Sequence, residues 1–143
     1  MKFTKNLHPL RKKQTMSKIS KAQLKEALAS AESIAITVHV RPDGDAMGSL
    51  LAMYEALTSQ GKDVRMVVDD TIPKKFASLP YGDCIVSVDQ CHNFTPDMLL
   101  VLDASTFERI GRVGALFSAP IFNIDHHISN SEFADGLYLR ADF

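Results

Sequence analysis

A short apolar segment that ends abruptly in charged residues is the feature that most constrains the fold of this chain. Residues Ile34–Val38 are mostly apolar and β-branched, and they predict a buried strand. After a polar loop, apolar residues recur at three- and four-residue spacings from Leu50 to Leu57, which is typical of a helix. In open α/β sheets, the loop between such a strand and helix normally carries the site. The sequence therefore places a candidate site in this loop.

The loop contains one imidazole and two carboxylates within seven residues, at His39, Asp43 and Asp45. Pro42 restricts the backbone and Gly44 permits a sharp turn, so the three side chains can converge. Imidazole together with carboxylate suits a borderline divalent ion such as Mn²⁺, whereas oxygen ligands alone favour Mg²⁺ or Ca²⁺. Aspartate, glycine and proline are also ordinary turn residues, so the loop by itself is equally compatible with a plain turn.

Two later apolar segments end in the same types of residue. Met98–Leu102 is followed by Asp103, and residues 119–124 are followed by the triplet Asp-His-His at 125–127. Parallel strands of one sheet bring their C-terminal ends to the same edge, so these residues are expected to lie near the first loop. Their convergence favours the metal-site interpretation over the plain turn.

The alternation of strands and helices indicates the α/β class, with a doubly wound, mostly parallel, Rossmann-like sheet and right-handed crossovers. We predict helices at residues 21–30 and from the first loop to Gly61, a helical turn at 74–78, and a helical segment at 106–117 interrupted by Gly111 and Gly114. The predicted strands are residues 34–38, 63–68, 83–88, 98–102, 119–124 and 136–139.

Three motifs, in this order, resemble those of the DHH phosphoesterase family. They are His-Val-Arg-Pro-Asp-Gly-Asp-Ala-Met-Gly-Ser at residues 39–49, the single aspartate at 103, and Asn-Ile-Asp-His-His-Ile-Ser-Asn at residues 123–130. The segment Asp-Ala-Ser-Thr-Phe-Glu-Arg-Ile-Gly at 103–111 fits as well. Within the family, the sequence is most similar to the bacterial nanoRNase and pAp phosphatase branch, and the resemblance spans about residues 20–142.

The resemblance implies two divalent metal ions, most often Mn²⁺, with Mg²⁺ or Co²⁺ as alternatives. His39, Asp43 and Asp103 would bind the first ion. Asp45, Asp103 and His126 would bind the second, so that Asp103 bridges the pair. Two such ions activate a bridging water for attack on phosphorus and hold the phosphate oxygens. The resemblance thus implies catalytic roles for Asp103 and His126.

The other two residues of the Asp-His-His triplet are also candidate catalytic residues. His127 is expected to contact the substrate phosphate or the leaving group. Asp125 is expected to fix the tautomer of a histidine by accepting its hydrogen bond, or else to cap the end of its strand. Asn130 is a further candidate on the substrate side.

Two arginines and one helix terminus are candidates for phosphate binding. A guanidinium offers paired donors to phosphoryl oxygens, so Arg41 and Arg109 are candidate phosphate clamps, and each is equally compatible with a surface salt bridge. Gly48 and Ser49 lie near the start of the predicted helix, where backbone N–H groups favour an anion. Gly48 is equally compatible with close packing of the helix on the sheet.

The branch that the sequence resembles implies hydrolysis of very short oligoribonucleotides or of 3'-phosphoadenosine 5'-phosphate. A cyclic dinucleotide phosphodiesterase of the same family is the alternative among enzymes. The partner would then be a short RNA or a small nucleotide, with a homodimer as a candidate assembly of the full-length protein.

The resemblance covers only the N-terminal part of a DHH domain. Family members supply a further metal-binding aspartate well after the Asp-His-His triplet, and a C-terminal DHH-associated domain that grips the substrate. Asp135 and Asp142 lie too early to match that aspartate. We therefore expect residues 18–143 to form an incomplete DHH domain that binds the second ion poorly and has little or no activity alone. A non-catalytic metal- or nucleotide-binding module is the alternative function.

Composition narrows the class of protein. The 143 residues are 45% hydrophobic and 23% charged, as in an ordinary globular protein. No segment approaches the roughly 20 apolar residues of a membrane span, so no membrane partner is expected. Cys84 and Cys91, in a chain without a signal peptide, indicate reduced thiols and a cytoplasmic location, with a disulfide between them left open.

The net charge of −1 conceals a basic start. Residues 1–25 contain eight Lys or Arg and no acid, which leaves eight basic and 17 acidic residues in the rest of the chain. We predict that residues 1–17 form a disordered leader rather than a secretory signal, although the basic cluster at 11–13 is compatible with nucleic-acid contact. The acidic remainder disfavours binding of long nucleic acids.

Overall fold

The computed structural model describes residues 18–142, so the predicted leader at 1–17 lies outside the described residues. One sheet contains five strands, and all of its pairings are parallel. The strands are β1 (Ser33–Val38), β2 (Asp63–Met66), β3 (Met98–Leu102), β4 (Ile121–Asp125) and β5 (Gly136–Leu139). The helices of the described part are α1 (Lys21–Ser30), α2 (Gly44–Ser59), α3 (Lys74–Ala77) and α4 (Val113–Leu116). The α/β class and the parallel sheet predicted from the sequence are confirmed.

The strand order β2-β1-β3-β4-β5 places the first strand inside the sheet. From β1 the chain first adds β2 on one side, and it later returns to add β3 on the other side. The place between β1 and β3 is therefore a topological switch point, where a crevice opens at the C-terminal ends of the strands. The residues that follow these two strands are His39 and Asp103, so the strand order itself brings two predicted ligands together.

Both faces of the sheet are covered, because successive side chains of a strand point to opposite faces. In β1, Ile34, Ile36 and Val38 pack into the core on the α2 side, whereas Ala35 packs into a second core with α4. Strand β3 is buried along its whole length. A strand that is covered on both sides has a continuous apolar sequence rather than an alternating one. This is why the central strands are recognisable in the sequence.

The two longer helices begin at polar side chains that cap them. Ser20 and Gln23 form a capping box at the start of α1, whose bounds match the predicted ones. The Asp43 side chain accepts a hydrogen bond from the Ala46 N–H at 2.9 Å and caps α2. Just after α2, Gly61 takes a left-handed φ of 82°, as the predicted helix end requires.

The predicted strand at residues 83–88 is wrong. In the described chain, two 3₁₀ turns flank a single bridging residue, Val86. Its N–H and C=O groups bond to Met66 O and Val68 N at 3.0 Å each. The second turn begins with a capping box at Ser87, which ends the extended backbone. Strand β2 itself stops at Met66, two residues earlier than predicted, and Val67 forms only the isolated bridge with Val86.

The predicted helical segment at residues 106–117 is divided at Gly111, as expected, but not at Gly114. Gly111 takes a φ of 61° and follows a 3₁₀ turn at Phe107–Ile110. Gly114 lies inside α4, where an added Cβ would stand 2.5 Å from the Phe107 ring. The absence of a side chain at Gly114 thus permits close packing of the ring rather than breaking the helix.

The two cysteines of the chain are free thiols in the structure, with Cys84 exposed and Cys91 buried. Among the helices of residues 18–142, none combines the length and the apolar character that a membrane crossing requires.

Candidate metal centre

The C-terminal ends of β1, β3 and β4 carry residues that the sequence analysis predicted as metal ligands. His39 follows β1, Asp103 follows β3, and β4 ends at the start of the Asp-His-His triplet. Two groups of ligand atoms result, and within each group the atoms lie within 4.8 Å of one another. The first group is His39, Asp43 and Asp103, and the second is Asp103, Asp125, His126 and His127. Asp103 belongs to both.

His39 is buried, and a backbone group orients its ring. Its Nδ1 lies 2.8 Å from the carbonyl oxygen of Val40. Because a carbonyl oxygen only accepts, Nδ1 must carry the hydrogen, and the neutral ring presents a lone pair at Nε2. Nε2 lies 3.6 Å from Asp103 Oδ2 and 3.8 Å from Asp43 Oδ1. These separations exceed the length of a hydrogen bond and suit ligands that face a common cation.

Asp103 lies between the two groups. Its side chain is largely buried, with Oδ1 at 2.9 Å from His126 Nε2 and Oδ2 at 3.6 Å from His39 Nε2. The backbone reaches this position through a φ of 56°, and the Asp103 N–H donates to Ile124 O at 3.0 Å. Aspartate is among the non-glycine residues that adopt this left-handed conformation most readily. Each carboxylate oxygen therefore faces a different imidazole, as a bridging ligand would.

The first turn of α2 places Asp45 beside one member of the second group. Asp45 Oδ2 lies 3.6 Å from His126 Nε2. The cap of the same helix is Asp43, so the hydrogen bond that caps α2 also fixes where both carboxylates stand relative to β1. His126 consequently has carboxylates from two elements near its Nε2 atom.

A chain of hydrogen bonds holds the first residue of the triplet in place. The buried Asp125 carboxylate accepts hydrogen bonds from His127 Nδ1 at 2.6 Å and from Asn130 Nδ2 at 2.7 Å. Asn130 Nδ2 also donates to Asn123 Oδ1 at 2.9 Å, and Asn123 Nδ2 donates to Val101 O at 3.0 Å. The chain connects the His127 ring to the interior of the sheet. Because a carboxylate accepts, it also requires the hydrogen of His127 to be on Nδ1.

Two groups of the centre titrate away from their ordinary values. The hydrogen bond from the Ala46 N–H lowers the pKa of the Asp43 carboxyl, with burial acting in the opposite direction. The hydrogen bond with Asp103 raises the pKa of the His126 imidazole. A ligand must be deprotonated to bind a cation. The lowered pKa of Asp43 therefore favours cation binding, whereas a proton on His126 competes with the cation for that ring.

The donor set fits a divalent cation. Carboxylate oxygen and imidazole nitrogen together suit borderline ions such as Mn²⁺. His39 offers a lone pair whose direction its tautomer fixes, and Asp103 offers one carboxylate to both groups. With Asp45, the crevice gathers four carboxylates and three imidazoles, and a bound cation would offset this concentration of negative charge.

A cavity of about 380 Å³ is lined by the ligand residues and by Ser105, Arg109 and Ser129. Arg109 is one of the two arginines that the sequence analysis proposed as phosphate clamps, and it lies on the same cavity as the ligands. The Ser105 carbonyl accepts a hydrogen bond from the Ser131 N–H at 2.8 Å, which joins the loops after β3 and β4. The cavity therefore combines candidate metal ligands with one candidate phosphate clamp.

Three of the predicted substrate residues, Arg41, Ser49 and Asn130, are not among the residues that line this cavity, whereas His127 is. Ser49 lines a second groove, of about 680 Å³, that shares Asp45, Asp103 and His126 with the first cavity. Arg41 is exposed, and within the described chain it is not among the residues that line these two spaces. Asn130 is directed to Asp125, and its Oδ1 accepts the Glu132 N–H at 2.7 Å.

Three residues near the centre are absent from the sequence-based candidates. Ser105 and Ser129 line the cavity, and Asp70 accepts a hydrogen bond from the Arg41 N–H at 2.6 Å. Asp70 is the second residue after the strand predicted at residues 63–68, whereas the rule that identified Asp103, directly after its strand, selects Asp69. The serines carried no such signal either, because they lie in loops whose path depends on tertiary contacts.

Comparison with known families agrees with this geometry. The model of the DHH family, N-terminal domain, matches residues 33–140, which include all five strands. The chain belongs to the DHH family. The resemblance that the sequence motifs suggested is thereby confirmed.

Two curated proteins are similar to this DHH chain, and both are described as bifunctional oligoribonuclease and PAP phosphatase NrnA. The protein from Thermus thermophilus is 37% identical over 110 residues, which are 76% of this chain and 32% of the relative. The protein from Bacillus subtilis is 28% identical over 121 residues, which are 83% of this chain and 37% of the relative. The chain thus spans about a third of the length of the curated relatives it matches.

A solved structure supports the same assignment of fold. The crystal structure of an exopolyphosphatase-related protein from Bacteroides fragilis aligns with a TM-score of 0.77 and 27% sequence identity. The alignment covers 85% of this DHH chain and 38% of that chain. The fold of this chain therefore recurs in a solved structure.

Proposed function

We propose that the DHH chain forms the metal-binding part of a phosphoesterase that hydrolyses very short oligoribonucleotides, 3'-phosphoadenosine 5'-phosphate, or both. The observation that carries this proposal is the position of Asp103, whose two oxygens face imidazoles of two ligand groups. A shared carboxylate is what two divalent cations need if they are to act on one phosphate. The activities named in both curated relatives support the class of substrate.

In the proposed site, His39, Asp43 and Asp103 hold one divalent ion, and Asp45, Asp103 and His126 hold the other, with Mn²⁺ as the expected ion. When bound, such ions supply a hydroxide nucleophile and neutralise the negative charge that develops on the phosphate oxygens. The protein itself orients these side chains. The Ala46 N–H holds the Asp43 carboxylate and lowers the pKa of that group, and the Val40 carbonyl orients the His39 ring.

His127 is the proposed contact to the substrate phosphate or to the leaving group. Its Nδ1–H donates to Asp125 at 2.6 Å, which fixes the ring and reserves Nε2 for the substrate. Asn130 and Asn123 in turn hold the Asp125 carboxylate. We therefore assign Asn130 to positioning Asp125, because its amide already donates to two protein acceptors.

Arg109 is the proposed partner of the substrate phosphate. Its side chain lies on the cavity that the ligand residues line, and a guanidinium binds phosphoryl oxygens through paired hydrogen bonds. The Arg109 carbonyl accepts the Val40 N–H at 2.7 Å, so its backbone is tied to the loop that carries His39. The loops that carry the proposed substrate contact and the first proposed metal ligand are thus joined by a hydrogen bond.

The proposal is tested by the hydrolysis that the purified 143-residue chain performs on three substrates with and without Mn²⁺. The substrates are a 5'-phosphorylated RNA dinucleotide, 3'-phosphoadenosine 5'-phosphate and a cyclic dinucleotide, and chromatography detects the products. Mn²⁺-dependent release of mononucleotide or phosphate from the first two, even at the low rate expected of an incomplete domain, and its loss in Asp103→Asn support the proposal. Release that EDTA does not reduce contradicts the proposal. A preference for the cyclic dinucleotide supports the alternative phosphodiesterase.

A module that binds metal without turnover is the second candidate. It is supported by the two groups of candidate ligand atoms, which would bind a cation whether or not hydrolysis follows. Titration with Mn²⁺ separates the two functions. Binding of about one ion per chain, with no product from any of the three substrates, supports the module.

A further inference from the structure

The loop between His39 and Asp43 is held by a carboxylate from a different strand. Asp70 follows β2 in the sequence, and its Oδ2 accepts the Arg41 N–H at 2.6 Å. Its Oδ1 accepts the Thr71 N–H at 2.7 Å, which fixes the carboxylate within its own loop. Arg41 lies between two proposed ligands of the first ion, so this hydrogen bond acts on the segment that separates them.

The segment needs such support because its backbone is unusual. Arg41 has a φ of 53°, a left-handed conformation that residues with a long side chain adopt rarely. The preceding residue is held as well, because the Val40 N–H donates to Arg109 O at 2.7 Å. The Val40 carbonyl accepts the hydrogen of His39 Nδ1 at 2.8 Å. Three hydrogen bonds on neighbouring groups therefore set the backbone and, through it, the His39 ring.

We propose that Asp70 is a positioning residue of the metal centre, which sets the distance between His39 Nε2 and the Asp43 carboxylate by holding Arg41 in its left-handed conformation. The inference rests on the proposed function, because it assumes that these two side chains bind a cation. Asp70 belongs to neither group of ligand atoms among the described residues. Its carboxylate acts through the backbone and does not touch the ion or the substrate.

A control residue with the same kind of contact lies at the opposite end of the sheet. Asp97 Oδ2 accepts the Glu32 N–H at 2.9 Å and the Ser33 N–H at 3.2 Å, at the start of β1. Both Asp70 and Asp97 thus join neighbouring elements through backbone N–H groups. Of the two, Asp70 does so beside the proposed ligands. Comparison of variants at the two positions therefore distinguishes a local effect on the metal centre from a general loss of stability.

The experiment measures the Mn²⁺ affinity of the 143-residue chain by calorimetric titration, together with the thermal unfolding temperature without metal. Asp70→Ala is expected to lower the Mn²⁺ affinity by about 10–100-fold, as loss of a group that orients a ligand typically does. Asp70→Asn keeps an oxygen acceptor for the Arg41 N–H and is expected to restore most of the affinity. Asp97→Ala is expected to lower the unfolding temperature and to leave the Mn²⁺ affinity unchanged.

A second readout does not depend on metal. Long-range ¹H–¹⁵N NMR spectra report the tautomer of His39, and the wild-type ring is expected to carry its hydrogen on Nδ1. Asp70→Ala is expected to increase the population with the hydrogen on Nε2, because the Val40 carbonyl loses its fixed position. If Asp70→Ala does not fold, Asp70→Glu replaces it, since the longer side chain keeps the charge and displaces the oxygens.

The outcomes separate this inference from the function on which it rests. A wild-type chain that binds no Mn²⁺ contradicts the proposed function, and the His39 tautomer then decides the role of Asp70. Wild-type affinity and tautomer in Asp70→Ala, or in Asp70→Glu where that variant replaces it, overturn the inference. So does a loss of Mn²⁺ affinity in Asp97→Ala as large as the loss in the Asp70 variant. Failure of Asp70→Asn to restore affinity shows that the Arg41 bond is not the cause.

Discussion

The two ends of the same parallel sheet both carry aspartates, and these aspartates have different surroundings. At the N-terminal end, Asp97 accepts two backbone N–H groups, and Asp135 Oδ2 accepts the Ile121 N–H at 2.7 Å. At the C-terminal end, Asp103 and Asp45 face the His126 ring at 2.9 and 3.6 Å. One residue type thus joins strands at one end and surrounds a crevice at the other.

The difference is one of charge compensation. The N–H groups of Glu32 and Ser33 lower the pKa of Asp97, so the protein itself stabilises that negative charge. At the C-terminal end, the carboxylates of the centre lie near three imidazoles, and Asp103 is buried among these groups. Buried charges need a partner, and a bound cation is the partner that such a group of ligands accommodates. The surroundings of an aspartate therefore indicate its role better than its burial does.

The largest effect is expected for Asp103→Asn, which tests the C-terminal end of the sheet. Loss of the shared charge is expected to reduce Mn²⁺-dependent hydrolysis by more than about 100-fold and to weaken Mn²⁺ binding. The metal-free protein is expected to unfold at an equal or higher temperature, because asparagine also tolerates the φ of 56° at this position. Hydrolysis assays, calorimetry and thermal unfolding check the three expectations. Near-normal rates contradict a bridging role for Asp103.

Asp125→Asn is expected to have the next largest effect, because Asp125 lies at the C-terminal end and yet is compensated by donors. An amide in its place would present one NH₂ group to either His127 Nδ1–H or Asn130 Nδ2, both of which donate in the native structure. The substrate-binding ring would lose its fixed orientation. We expect hydrolysis to fall by about 10–100-fold, with Mn²⁺ affinity close to that of the native chain.

Parallel measurement of hydrolysis and Mn²⁺ affinity checks this expectation for Asp125. An equal loss of hydrolysis and of Mn²⁺ affinity would mean that Asp125 acts as a metal ligand rather than as a positioning residue. Compensation by protein donors would then not distinguish the positioning aspartates from the ligands.

The sequence was sufficient for the central part of the fold and for the convergence of the principal candidate ligands. Strands that are covered on both sides have continuous apolar sequences, and Met98–Leu102 is identical in prediction and structure. Because the strands are parallel, each strand end could be assigned to one edge without knowledge of the coordinates. His39, Asp103 and His126 were therefore brought together correctly from their positions in the sequence alone.

The sequence was insufficient where tertiary contacts decide the local structure. Val86 has the residue type of a strand, but a turn on each side limits it to one bridge. Asn130 has the residue type of a substrate ligand, but the buried Asp125 carboxylate accepts its amide. The hydrogen bond of Asp70 to Arg41 crosses between two loops, and no local pattern records it.

A loss of stability without a change in metal binding is expected for Asp135→Ala, at the N-terminal end of the sheet. The variant leaves the N–H of the buried Ile121 without its acceptor, which costs about 1–3 kcal/mol in the free energy of unfolding. Ile121 begins β4, and the proposed ligands lie at the other end of that strand. Urea unfolding and calorimetric titration measure the two quantities. A weakened Mn²⁺ affinity would show that the two ends of the sheet are coupled.

The smallest effect is expected at Asp69, a carboxylate at the C-terminal end that an arginine compensates. Its Oδ1 accepts Arg112 Nη2 at 2.8 Å and Nε at 3.0 Å, and its Oδ2 accepts the Arg112 N–H at 2.7 Å. The hydrogen bonds from the Arg112 side chain lower the pKa of Asp69 most, and the one from the Arg112 backbone N–H lowers it further. The arginine side chain is 59% exposed and the carboxylate 17%, so solvent and salt screen the pair.

The pH dependence of Asp69→Asn has a definite sign. A carboxyl group whose folded pKa lies below its unfolded value of about 3.9 contributes its full stabilisation above that value and loses it as the pH falls through the folded pKa. The variant is therefore expected to lower the urea midpoint at pH 6, by less than Asp135→Ala does, and the difference is expected to shrink at pH 3 and in high salt. Equal differences under all three conditions would mean that geometry rather than charge is lost. Asp69 would then belong with Asp135, although it lies at the opposite end of the sheet.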